Sequence, residues 1–234
     1  MEQQVKPNKI AEDYPDVWKN LDVRCKPLSE DEQKPLYDFF KRVFDIIASS
    51  CALILLWWVI AIAALAVKIE DGGPAFYSQT RVGKNGKLFK MYKLRSMYVD
   101  ADKRKKDLLA KNEMDGPTFK MENDPRITRV GAWLRKASID ELPQLINCFG
   151  GSMSIVGPRP PLGYEVMQYD EYAMRRLAVK PGLTCYWQCS GRSDVGFEEW
   201  MQLDNKYIDE RGFWRDIAII FKTIPAVLKG SGSC

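Results

Sequence analysis

The sequence predicts a mixed α/β fold (α+β), rich in helix and seated on a membrane by one inserted helix. Three observations carry that reading. Residues 46–67 are apolar except for Ser49 and Ser50. Two short stretches beyond them alternate like strands, and much of the remainder repeats at helical period. At 234 residues the chain fits one domain with attachments.

Residues 1–36 mix charges with Pro7, Pro15, Pro27 and Pro35 and read as a polar tail, although Ile10, Tyr14, Val17, Trp18 and Leu21 recur at helical spacing. Nothing in the first 40 residues resembles a signal peptide. Residues 46–67 would extend roughly 33 Å as a helix, enough for a bilayer core of about 30 Å. Lys41 and Arg42 precede this run and Lys68 follows it, so flanking charge gives little orientation. Asp71-Gly72-Gly73-Pro74 ends it.

Residues 75–80 and 87–92 then read as strands around the turn Gly83-Lys84-Asn85-Gly86. Residues 100–113 interleave both charge signs and read as a solvated face, which argues against nucleic acid. Residues 130–149 and 164–177 read as helical. Near the end, Phe213, Trp214, Ile217, Ile220, Phe221, Ile224, Val227 and Leu228 share one helical face, with Arg215, Asp216, Lys222, Thr223 and Lys229 largely on the other. Such a face suits the core or the lipid headgroup plane, and the aromatic pair with nearby cations supports the second. Residues 231–234 are a short C-terminal tail.

A net charge of +4 suits an anionic surface or phosphate-bearing ligands. The chain has no histidine, so acid–base work falls to other groups and His-ligated metal sites are excluded. The six cysteines, at 25, 51, 148, 185, 189 and 234, follow no framework spacing and are expected as free thiols.

Ser138-Ile139-Asp140-Glu141-Leu142-Pro143 carries the most chemistry. Ser138 and Glu141 have capping-box spacing ahead of Leu142, Leu145 and Ile146, so these residues could simply open a helix. Functionally, adjacent Asp140 and Glu141 could divide labour, one attacking phosphorus and the other helping to hold Mg²⁺. Cations on compact turns are candidates for phosphate: Lys93, Arg95, Arg135, Arg159 between prolines, and Arg192.

Ordered motifs extend that pattern: Lys41-Arg42-x-x-Asp45, Gln79-x-Arg81-x-Gly83, Lys93-x-Arg95-Ser96-Met97, Asp124-Pro125-Arg126-Ile127-Thr128, Asp140-Glu141-Leu142-Pro143-Gln144, Ser154-x-Val156-Gly157-Pro158-Arg159-Pro160, Lys180-Pro181-Gly182-Leu183-Thr184 and Gly191-Arg192. In this order, over residues 37–230, the chain resembles the monotopic phosphoglycosyl transferases of bacteria. The resemblance implies a cytoplasmic-face enzyme of the inner membrane that moves a phosphosugar from a UDP-sugar to polyprenyl (undecaprenyl) phosphate. It implies release of UMP, a phosphosugar intermediate on Asp140, help from Glu141 and Mg²⁺, and phosphate contacts from the cations named above. It also implies a re-entrant membrane helix bent at a Ser-Pro pair, whose positions here hold Trp57-Trp58. A homo-oligomer is compatible with the sequence.

Two rivals stay open. A membrane-bound phosphate- or lipid-binding scaffold without turnover would release no UMP. A direct sugar transferase would release UDP.

Overall fold

The computed structural model describes residues 27–108, 112, 116–119, 121, 123–189 and 195–228. Helix α1 (Pro35–Asp71) is followed by the hairpin β1 (Phe76–Val82) and β2 (Leu88–Leu94), then α2 (Ala101–Leu108) and α3 (Arg129–Lys136). A 3₁₀ turn (Ile139–Glu141) leads to α4 (Gln144–Gly150), β3 (Ser154–Val156), α5 (Gly163–Val166) and α6 (Glu171–Met174). A second 3₁₀ turn (Arg175–Ala178), β4 (Gly182–Thr184), α7 (Tyr186–Cys189), α8 (Phe197–Glu210) and α9 (Phe213–Leu228) complete the chain. The helical spacing noted within residues 10–21 lies outside the described residues.

Pro35 opens α1, where its fixed φ helps and its missing N–H costs nothing. The helix runs unbroken through Trp57-Trp58 and stops at Gly72, whose φ of 73° lets its N–H cap Lys68 O. It is the one helix among the described residues long and apolar enough to cross a membrane, and only 11% of its most apolar window is buried in the protein. The buried stripe Asp45, Ser49, Ala63 and Val67 faces the domain, while Ile54, Leu55, Trp57 and Ile62 are bare.

Polar residues at both ends of this apolar run fasten it. Lys41 Nζ meets Asp216 of α9 at 2.5 Å. Arg42 donates to Cys148 O and Phe149 O at 2.7 Å each, satisfying the last carbonyls of α4. Asp45 Oδ1 accepts from Ser154 Oγ at 3.0 Å and Ile155 N at 2.9 Å. Beyond the run, Glu70 accepts from Val130 N at 3.1 Å, and Asp71 pairs with Arg95. The segment read as a tail is also docked at its end, where Glu32 pairs with Arg175.

The hairpin is antiparallel with Phe76 opposite Leu94 and Val82 opposite Leu88. Asn85 and Gly86, at φ 54° and 74°, make the reversal. Ser96 O then accepts from Thr128 N at 3.2 Å, and Thr128 Oγ1 caps α3 through Gly131 N at 2.9 Å. A β-carbon on Gly131 would fall 2.0 Å from Ser96 O, so only glycine allows this approach. β3 and β4 pair in parallel, and a β-carbon on Gly182 would fall 2.1 Å from Gly157 N.

One expectation is corrected here. The stretch 164–177 is α5, α6 and a 3₁₀ turn, not one helix. In α9, Asp216 and Thr223, which lie opposite the apolar face in the sequence, face the protein. Asp216 is buried against Lys41, Tyr37 and Tyr207, and Thr223 bonds Thr184 at 2.7 Å. Phe213, Trp214, Phe221 and Ile224 point outward, Trp214 at 79% exposure. Ile219 packs in the core with Val156, Cys185 and Tyr207, so α9 buries part of its apolar surface and exposes the rest.

Candidate active site

Alternation along β2 sends Leu94 into the core with Ala63, Val67 and Leu134, and turns its neighbour Lys93 to the other face. Lys93 Nζ there meets Glu141 Oε1 at 2.7 Å. Ser138 does not cap the helix as its spacing suggested. It adopts φ 54°, makes no side-chain cap bond, and the chain passes through the 3₁₀ turn before α4 begins. That detour frees Glu141 for Lys93 and turns Asp140 inward.

Asp140 is 5% exposed, and its Oδ1 has no hydrogen-bond partner. Burial raises its pKa; Lys93 and Arg135 oppose the rise, while Glu141 adds to it. Lys93, Arg135 and Glu141 are thus the charges that act on this buried carboxylate. Replacing Lys93 by methionine removes the strongest opposing charge, so Asp140 should ionise at still higher pH. A pH–rate profile whose acid limb does not move upward would contradict this arrangement.

The other sequence candidates lie elsewhere. Arg95 is 7% exposed and braces the exit of α1, donating from Nη1 to Asp71 Oδ2 at 2.7 Å and from Nε to Pro74 O at 2.6 Å. Its donors are engaged by the protein where a phosphate contact was expected. Arg192 lies outside the described residues.

Arg159 sits over Trp187 at 5.9 Å and Trp200 at 5.8 Å, two indoles stacked 4.3 Å apart. Its loop is pinned by Val82 N on Pro161 O at 3.0 Å, Arg81 Nη1 on Pro160 O at 3.0 Å and Arg176 Nη2 on its own carbonyl at 3.0 Å. Burial, then the charge of Arg159, lowers the pKa of Arg81 to about 10.

Charges on neighbouring elements influence one another. Arg135 acts on both Asp140 and Asp124, and Asp124 holds Arg126 at 2.6 Å. Arg126, Arg81 and Arg159 all act on Tyr164. Arg81 donates to Pro160 O and Gln79, and Arg126 to Asp124, so both guanidinium groups are held by the protein as that of Arg95 is. Arg81 and Arg126 belong to motifs visible in the sequence, but nothing local there revealed their partners. Arg159→Lys keeps the charge and loses the planar fork, so turnover should fall at least about tenfold. Unchanged steady-state kinetics would remove Arg159 from the site.

The dyad can be tested as a metal site. No group of three or more Asp, Glu, His or Cys side chains gathers for a metal among the described residues. Asp140 Oδ1 and Glu141 offer two carboxylates, which suffices for Mg²⁺ shared with substrate phosphates and not for an all-protein cage.

These features define a helix-rich α/β domain that carries one long apolar helix and an acidic pair beside Lys93. Residues 36–230 match the bacterial sugar transferase family, and the chain belongs to it. It is 49% identical over 194 residues to the galactosyl transferase CpsE of Streptococcus agalactiae, covering 82% of this chain and 43% of that protein. It is 43% identical over 206 residues to the undecaprenyl-phosphate galactose phosphotransferase of Salmonella typhimurium, covering 83% and 42%. With the exopolysaccharide production protein ExoY of Rhizobium meliloti it is 43% identical over 204 residues, covering 86% and 90%. The chain thus spans less than half of the first two relatives and most of the third.

Proposed function

We propose that this chain transfers a phosphosugar from a UDP-sugar to polyprenyl (undecaprenyl) phosphate at the cytoplasmic face of the bacterial inner membrane, as an early step of polysaccharide or glycoconjugate assembly. The observation that carries the reading is the buried Asp140 carboxylate with an unpartnered oxygen beside the Glu141–Lys93 pair. In the first half-reaction an Asp140 oxygen attacks the sugar-linked phosphorus, the bond to the UMP oxygen breaks, and UMP leaves. In the second, an oxygen of polyprenyl phosphate attacks the same phosphorus and the Asp140–phosphorus bond breaks. Lys93 and Arg135 oppose protonation of Asp140, and Arg159 holds phosphate oxygens. Bound Mg²⁺, held through Asp140 and Glu141, would neutralise phosphate charge.

Incubation with a panel of UDP-sugars tests this. UMP release with a mass gain on the protein is expected. UDP release would establish direct sugar transfer, and no release from any sugar would leave a scaffold.

The membrane helix is read as re-entrant. Support comes from the fastenings at both ends of its apolar run, Asp45 on β3 and Glu70 on α3, which tie both flanks to one domain. A crossing helix would put those flanks on opposite sides of the bilayer. A Glu30→Cys variant otherwise lacking cysteine should resist a membrane-impermeant maleimide in intact cells. Labelling from outside would establish a span.

A further inference from the structure

We infer that the cleft beside the first turns of α1 is a second anion site, one that takes a phosphate group. The cleft has a volume of about 100 Å³ and is open to solvent, and Lys41, Arg42, Lys84, Lys180 and Arg211 line it against only Asp38 and Asp45. None of Lys93, Arg135, Asp140 or Glu141 is in its wall, so it is separate from the acidic pair.

The cations are not balanced from within. Lys41 is matched by Asp216. Arg42 and Arg211 donate to backbone carbonyls, which leaves their charge uncompensated. Asp45 is occupied by Ser154 Oγ and Ile155 N. Lys84 and Lys180 meet no carboxylate within ion-pair distance among the described residues. Burial, and then Arg42, lowers the pKa of Lys180; Asp45 opposes and Lys84 adds to the fall. Like charges crowded in a cleft favour an anion between them, and a phosphate oxygen suits lysine as a point-charge partner.

The position of the cleft favours a lipid phosphate. Tyr37, Lys41 and Asp45 face it, while Leu36, Phe39, Phe40 and Val43 of the same turns are exposed apolar side chains. The cleft therefore opens beside a surface suited to acyl chains, at the depth where headgroup phosphates lie.

The inference stands apart from phosphosugar transfer, and its test reads binding alone. The full chain is floated with phosphatidylcholine vesicles with and without 30% phosphatidylglycerol (about that fraction being enough to charge the surface). Separately, inorganic phosphate is titrated by equilibrium dialysis. A Lys84→Ala/Lys180→Ala pair is compared with Lys84→Arg/Lys180→Arg and with a control pair at exposed lysines, Lys103→Ala/Lys206→Ala. The expected result is an at least roughly tenfold weaker preference for phosphatidylglycerol in the first pair alone. Loss of inorganic phosphate binding in that pair, with lipid preference unchanged, would uphold the site and identify a soluble occupant. Equal loss in the control pair would mean general surface charge and overturn it, as would no loss in any variant. A first pair whose melting temperature matches the parent excludes misfolding. If it does not match, the arginine pair decides, because it must retain binding.

Discussion

Asp140→Asn is expected to abolish turnover, by about 10⁴-fold or more, while leaving a protein that melts no earlier than the parent. Asparagine keeps the shape and cannot form the acyl phosphate with the phosphosugar, so intact-mass measurement after UDP-sugar should find no adduct. The stability half of the expectation has a sign. Burial raises the folded-state pKa of Asp140 above its unfolded value, with Glu141 adding and Lys93 and Arg135 opposing. The folded state therefore favours the proton, and stability from this group is present below about pH 4 and lost as pH rises through the raised value. At neutral pH the ionised carboxylate costs stability that asparagine does not. An adduct on the variant, or residual turnover near the parent's, would remove Asp140 from the nucleophile's role. A large fall in melting temperature would mean the carboxylate braces the fold.

What the sequence made legible was local. The Asp140-Glu141 pair, the apolar run and the hairpin turn at residues 83–86 are each written in consecutive residues. Partners distant in sequence were not. Arg95 stands among plausible phosphate ligands in the sequence, yet Asp71, twenty-four positions earlier, takes its guanidinium. Ser138 has the right spacing for a capping box, but spacing does not reveal a positive φ, and that angle turns its side chain from the helix start. α9 was ambiguous for a different reason. Periodicity separates two faces and does not say which one meets protein when the surroundings are apolar, so the sequence left open where Asp216 points, and Lys41, Tyr37 and Tyr207 receive it. The motif Lys41-Arg42-x-x-Asp45 gains its meaning only in three dimensions, as three attachments of one helix to α9, α4 and β3.

The second large effect is expected at Arg176, which the sequence did not single out. Arg176 Nη2 lies 2.7 Å from Asp204 Oδ2, both side chains fully buried, and its guanidinium packs 4.8 Å from the Trp200 ring centre. Burial pushes Asp204 up to about 6, against the opposing charge of Arg176, so it is ionised at neutral pH. Arg176→Met leaves that carboxylate buried without its partner, a loss of about 3–5 kcal/mol, or roughly a 10 °C fall in melting temperature. The deficit should grow between pH 6 and 8. Without Arg176 the folded pKa of Asp204 climbs further, so keeping the carboxylate buried and ionised costs more as pH rises through that range. Adding Asp204→Leu removes the stranded charge and should recover much of the loss. Recovery of stability need not restore activity. Arg176 also donates to the carbonyl of Arg159, so the double variant should fold with its Arg159 loop unpinned and turn over slowly. A single variant that melts with the parent at pH 8 would show that the pair does not hold the fold. A double variant with full stability and full activity would detach Arg176 from the positioning of Arg159.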